Sequence, residues 1–426
     1  MERKPGAKYA QIERLTNGAQ LQFVELKGFL TVYVSVSIHA GGNDRYISGN
    51  HGVEAIPAGA AHFLEHLIFS GDDNGLVERL AQKGISANAM TTYEDTIFYA
   101  TGVGEVDTQT RLLLEAVFNT AFSGEEVELE RPIILAELDM VENDPSSKLQ
   151  MTLFERLYET HPIRDDIGGS KEDVRQVSSE QLLAFHQTYY AGDRVIVTVA
   201  GDIAEKTRES IREMVTRLVP KSTHSSWPLI AADDSRPDGR IEVIQSAVDL
   251  PQFAIGVKID PALWPVEPVE RYLSRTRLMF WLNTVFGDMA ETRDLLLESG
   301  VIDDSFHHNV WQGDDYGMLL LFGHSRKPEV AAQMIIETLD HALETPPSAA
   351  MFDLVRRSAY GKLLRRQDSV RGLGSLATGM ARRGIDVFSL ADLYAKMDVP
   401  QVDRLVQSLR SEANRATVIL QPERSQ

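Results

Sequence analysis

Ala58-Gly59-Ala60-Ala61-His62-Phe63-Leu64-Glu65-His66-Leu67-Ile68-Phe69-Ser70-Gly71 is the stretch from which the rest of the chain is read. Pro57 suits a first helical turn and Gly71 the residue just past an end, so the pattern predicts a helix between them. On that helix His62 and His66 are i and i+4, and both imidazoles project from one face. Two imidazoles so placed reach a single zinc ion, each about 2.0–2.1 Å from the metal. Glu65 flanks the same face. It is expected to stand over a metal-bound water as general base, taking the proton and later delivering it to a leaving amine. The same letters also describe two surface histidines beside a glutamate on a core-packing helix.

A catalytic zinc needs a third protein ligand and one open position. Ser123-Gly124-Glu125-Glu126 has the form of a capping box, and an apolar-periodic run follows from Val127 to Val141. Glu130 and Glu137 are two helical turns apart and share a face with Ile134 and Val141. A carboxylate on an otherwise apolar face is costly unless it is paired or metal-bound. Glu137 is therefore the expected third ligand and Glu130 the expected partner of a ligating histidine. Pro132 falls inside the pattern and should kink the helix or mark a new first turn.

Outward from these stretches, strands open and close two halves. Leu21–Leu26 and Leu30–Ile38 begin the first, and Arg194–Gly201 ends it. Ile241–Ile244 and Phe253–Ile259 begin the second, and Arg415–Leu420 ends it at a matching distance. Between them lie amphipathic helical runs, among them Gln109–Phe122 and Glu329–Leu343. This reads as an internal duplication with an α+β fold, each half a mainly antiparallel sheet covered by helices. Residues 1–220 form the metal-binding half, the Pro-, Ser- and Gly-rich 221–239 a linker, and 240–426 a homologous half without the metal set.

The chain has 426 residues, and its 62 acidic against 43 basic residues give a net charge of −19. That balance disfavours nucleic acid and anionic membranes as partners. The absence of cysteine excludes disulfides, thiolate metal sites and cysteine nucleophiles, leaving His and carboxylates to hold any metal. The first residues are charged with no apolar core of a signal peptide, and no run is apolar enough to span a bilayer. The expected compartment is the cytoplasm.

H-x-x-E-H over Ala61–Gly71, with Glu130-x6-Glu137 downstream, resembles the insulinase, pitrilysin and mitochondrial-processing-peptidase family of inverzincin zinc metallopeptidases. The likeness extends through Gly84–Tyr99, His161-Pro162-Ile163-Arg164, Asp166-Ile167-Gly168-Gly169 and Tyr189-Tyr190-Ala191-Gly192. In the second half, Phe286-Gly287 and Leu296–Phe306 still look familial. The resemblance implies one zinc on His62, His66 and Glu137, with Glu65 as general base. It also implies a peptide substrate pairing with the strand at Asn88 and Ala89. The short two-half length is similar to that of bacterial members that join a second chain, as homodimer or heterodimer, to close a clamshell.

One departure matters. Active relatives carry an Arg and a Tyr seven apart in the second half, which hold the scissile carbonyl. Asp303 stands where the Tyr is expected, and Arg293 nearby reads as an ordinary helix-surface residue. His307-His308 are neighbours that should point apart on a strand or helix, as solvated or cleft-lining side chains. The expected activity is zinc-dependent endopeptidase action on peptides or unfolded chains, with the acidity favouring basic peptides. The alternative is a non-catalytic or partner-dependent scaffolding subunit of a heterodimeric peptidase.

Overall fold

The computed structural model describes residues 10–49, 52–70, 76–119, 122–222, 233–237, 239–345, 348–397 and 403–423. Gly71 and residues 223–232 and 238 of the expected linker lie outside that set. The chain divides into two compact units that do not follow chain order. Unit 1 is Met1–Leu138, Asp166–Leu229 and Leu363–Ala391; unit 2 is Asp139–Asp165, Ile230–Lys362 and Asp392–Gln426.

Unit 1 holds β1 (Ala10–Arg14), β2 (Gln20–Glu25), β3 (Thr31–Ile38), β6 (Ser86–Thr91), β7 (Thr96–Val103) and β8 (Val195–Gly201) in one sheet, ordered β1-β2-β8-β3-β7-β6. Only the β2–β8 pair is parallel. The hairpin of β4 (Tyr46–Gly49) and β5 (Gly52–Ala55) stands apart from it. The unit's helices are α1 (Ala60–Ser70), α2 (Leu76–Ala81), α3 (Val106–Phe118), most of α4 (Gly124–Asn143), α6 (Lys171–Gln176), α7 (Ser179–Tyr189), α8 (Glu205–Leu218) and α13 (Val370–Ala381).

Unit 2 orders β11 (His307–Gln312), β12 (Gly317–His324), β10 (Gln252–Lys258), β13 (Arg415–Pro422) and β9 (Ile241–Ser246) in a second sheet. Its helices are α5 (Pro145–Leu157), α9 (Pro268–Phe286), α10 (Glu291–Glu298), α11 (Pro328–Glu344), most of α12 (Ala349–Arg366), α14 (Leu390–Ala395) and α15 (Asp403–Ser408). The two sheets repeat one another. Gln20 pairs in parallel with Ile196, and Ile241 pairs in parallel with Thr417, the same separation along the chain. In both, the strand that follows the earlier member of this parallel pair, β3 in one and β10 in the other, is antiparallel to its two neighbours.

The alternation of β3 explains the layering. Val32, Val34, Val36 and Ile38 point into the core shared with Phe63 and Leu64 of α1 and with Leu113 and Val117 of α3. Tyr33, Ser35 and Ser37 point to the opposite face. The pattern alone leaves that polar face open to water. Instead α13, from far along the chain, covers part of it: the Ser35 and Thr378 hydroxyls lie 2.8 Å apart. Gly374 sets the closeness, because a Cβ there would collide with the Tyr33 ring. Unit 2 has the counterpart in α5, whose Leu153 and Leu157 lie against Gly256 of β10. Each sheet thus takes a covering helix from the other stretch of chain. No helix among the described residues is long and apolar enough to cross a membrane.

Candidate metal centre

Helix α1 begins at Ala60, later than Pro57 suggests, because Gly59 takes a left-handed φ of +82° and its carbonyl accepts the first helical bond, from Phe63 N–H at 2.8 Å. Gly168 and Gly169 press against this start so tightly that a Cβ on Gly59 or Gly169 would overlap backbone. A Cβ on Gly168 would lie 2.9 Å from Leu138 and 3.5 Å from His62 Nδ1. Phe63 and Leu64 are buried and fix the rotation of the helix, which turns His62 and His66 together toward α4, ring centres 4.6 Å apart.

Ser123 and Glu126 bond reciprocally at the start of α4, as the capping-box pattern predicts. The helix runs without interruption through Pro132 rather than restarting there. Pro132 is exposed, so the carbonyl that loses its donor is on the wet side of the helix, where water can satisfy it. Val127, Ile134 and Leu138 are buried and seat α4. Glu130 and Glu137 lie on the adjoining face. Glu137 reaches both histidines, Oε1 3.7 Å from His62 Nε2 and Oε2 3.3 Å from His66 Nε2. Donor atoms of His62, His66 and Glu137 all lie within 4.8 Å of one another. Glu130 approaches the far side of the His66 ring, 2.8 Å from Nδ1.

The electrostatics suit a cation. Burial, then the neighbouring His66, pushes the His62 pKa down to about 4 against the pull of Glu137, so His62 is a neutral donor at physiological pH. Burial pulls His66 down, but the Glu130 hydrogen bond and the charge of Glu137 outweigh it and raise its pKa. Two imidazoles and a carboxylate, one imidazole already neutral and the other oriented by a second carboxylate, fit a tetrahedral divalent ion with one position open.

Glu65 is buried on the same helix. Its carboxylate accepts a 2.6 Å hydrogen bond from the Thr91 hydroxyl, at the end of β6. Burial raises the Glu65 pKa and the Thr91 bond opposes that rise. Sequence reasoning missed Thr91, although period-two alternation along β6 puts Ala87, Ala89 and Thr91 on one face. Strand β6 is an outer strand of its sheet. Asn88 on it is exposed and Ala89 half-buried, and the Asn88 side chain accepts the Ala89 N–H at 2.9 Å. The β6–β7 turn is pinned by Arg382, just past α13, which lies 3.1 Å from Glu94 and 3.6 Å from Asp95.

In unit 2, His307 and His308 of β11 do face apart. His307 is exposed and stacks on Phe322, whereas His308 packs against Phe286, its pKa pushed down to about 4 by burial and then by Arg293. Arg293 differs from the surface residue expected: its side chain is 12% exposed, lies over the Phe306 ring and bonds the Phe306 carbonyl at 3.1 Å. Asp303 caps the turn into β11 through Ser305 N–H at 2.9 Å.

The insulinase model of peptidase family M16 matches residues 48–171, which include both metal-site helices, and the M16 inactive-domain model matches residues 176–359. The chain belongs to peptidase family M16. A relative from Bacillus subtilis named uncharacterized zinc protease YmfH is 25% identical over 95% of this M16 chain and 95% of its own. The probable mitochondrial-processing peptidase subunit beta of Arabidopsis thaliana is 27% identical over 56% of this chain, a match spanning 46% of that protein. The solved structure of a putative M16-like peptidase from Alicyclobacillus acidocaldarius shares the fold, with TM-score 0.89 and 24% identity over 97% of this chain and 98% of that one.

Proposed function

We propose that this M16 chain is a zinc-dependent metalloendopeptidase that hydrolyses peptides or unfolded polypeptides. The observation that carries the reading is the meeting of His62, His66 and Glu137 beside a buried, hydrogen-bonded Glu65. His62, His66 and Glu137 would hold the ion, with Glu130 orienting His66. A bound zinc supplies Lewis acidity to the scissile carbonyl and to a water. Glu65 takes the proton of the attacking water and passes it to the departing amine, while Thr91 holds the carboxylate in place. The substrate backbone lies along β6 as an added strand, displacing the Asn88 side chain from the Ala89 N–H. Exposed Leu129 and Ile133 on the flank of α4 beside Glu137 offer apolar surface to an unfolded chain.

Residues 1–220 are assigned as the catalytic half and 240–426 as its homologue. The committed contacts of Arg293 and Asp303 favour a second form of the reading, in which a homologous partner or second copy supplies the carbonyl-binding groups. A cytoplasmic setting is part of the proposal. The test is hydrolysis of an unstructured peptide by purified protein, with and without chelator, alone and with a homologous partner chain. Chelator-sensitive cleavage, alone or only with the partner, is expected. No cleavage in any arm by protein carrying one zinc per chain assigns it instead as a scaffolding subunit.

A further inference from the structure

The chain is strongly acidic, yet one open cleft of about 550 Å³ in unit 1 is lined by two arginines and no carboxylate. Arg366, Ser369, Arg371 and Ser375 edge it, at the end of α12 and the start of α13. Two arginines further along are engaged: Arg382 pairs with Glu94 and Asp95, and Arg383 bonds the Gly379 carbonyl at 2.8 Å. Among the described residues no carboxylate pairs with Arg366 or Arg371.

Arg371 also touches the sheet. Its guanidinium lies over the Tyr99 ring, 5.4 Å from the centroid, and donates to the Tyr99 hydroxyl at 3.1 Å. Tyr99 of β7 is paired with Asn88 of β6, so the two side chains share the α13 face of the sheet. A residue opposite Asn88 on an added strand would point to that same face. It would lie about 10 Å from β7, two interstrand spacings, a gap that a long acidic side chain and the arginine close between them. Asn88 is three residues from Thr91, roughly 10 Å along the strand from the Glu65 carboxylate.

We propose that Arg371, with Arg366 on the same cleft, is a specificity-determining residue that selects an acidic side chain, glutamate above aspartate, in the peptide laid along β6. This rests on the peptidase reading and on β6 as the docking strand. It also reverses, at one subsite, the preference for basic peptides that net charge suggests. The partner carboxylate that Arg371 lacks among the described residues comes from the substrate, and the net negative charge of the chain sharpens the contrast.

The test walks a single Glu, Gln or Lys through an otherwise neutral unstructured peptide and maps cleavage by mass spectrometry, using zinc-loaded full-length protein with its partner chain if one is required. Expected is a roughly tenfold higher kcat/KM for Glu than for Lys at one position about three residues from the scissile bond, shrinking with added salt. Arg371→Glu should invert that preference and Arg371→Lys should keep its sign; a melting curve for each variant guards against misfolding. Equal kcat/KM across the three series, or a Glu preference that survives Arg371→Glu, overturns the subsite and leaves the peptidase reading standing. If no peptide is cleaved, the peptidase reading fails. Anisotropy of the same labelled peptides on zinc-loaded Glu65→Gln protein then decides the subsite by affinity alone, equal affinities refuting it.

Discussion

Exchanging one carboxylate of α4 at a time for its amide separates ligand from supporter. In Glu137→Gln the side chain that spans both Nε2 atoms, at 3.7 and 3.3 Å, loses its charge and with it much of its attraction for a cation. That side chain is 46% exposed, so the change costs little folding energy and any loss of metal is direct. In Glu130→Gln the group 2.8 Å from His66 Nδ1 remains able to accept a hydrogen bond, but it no longer makes the imidazole more basic. Loss of such a supporting partner typically weakens metal binding about 10- to 100-fold, roughly 1.4–2.7 kcal/mol. Because the amide still accepts, Glu130→Gln belongs near the lower bound, and Glu137→Gln should exceed the upper one. Competition against a chromophoric chelator gives both affinities, and elemental analysis after gel filtration gives the retained stoichiometry. A larger loss in Glu130→Gln than in Glu137→Gln would refute the assignment of the third ligand.

Glu65→Gln should retain zinc and abolish peptide hydrolysis; normal turnover would remove Glu65 as the base. Thr91→Val deletes a hydrogen bond to a buried carboxylate, worth about 1.5–3 kcal/mol, so kcat should fall roughly tenfold or more at unchanged zinc content, with Thr91→Ser restoring most of it. An unaltered kcat in Thr91→Val would mean the bond has no part in turnover. In a helix interior Gly→Ala ordinarily stabilises by about 1 kcal/mol, but Gly374→Ala drives a methyl into the Tyr33 ring and should destabilise by ~1–3 kcal/mol in denaturant unfolding. A higher midpoint would show that α13 sits less tightly on β3 than described.

Much of the site was legible because its parts are local. The i, i+4 spacing of His62 and His66 and the two-turn spacing of Glu130 and Glu137 follow from helix geometry, which any sequence read at 3.6 residues per turn displays. The paired strands at matching distances were equally visible, since alternation and chain separation are one-dimensional properties. Arg293 misled because a polar residue on a helix is read as solvated, whereas here it is folded down onto Phe306.

The sequence by itself determined which side chains share a helix face, which strands open and close each half, and that the chain repeats. It had no means of saying what those faces meet. The approach of α4 to α1, which brings Glu137 to the two histidines, depends on Ile134 and Leu138 finding the core that Phe63 and Leu64 enter. Thr91 reaches Glu65 only because β6 lies at the edge beside α1, and Arg371 meets Tyr99, 272 residues away, only because α13 lies on that sheet. Such encounters are decided by burial and close packing among distant segments, whose free energy belongs to the assembled core and leaves no periodic trace along the chain.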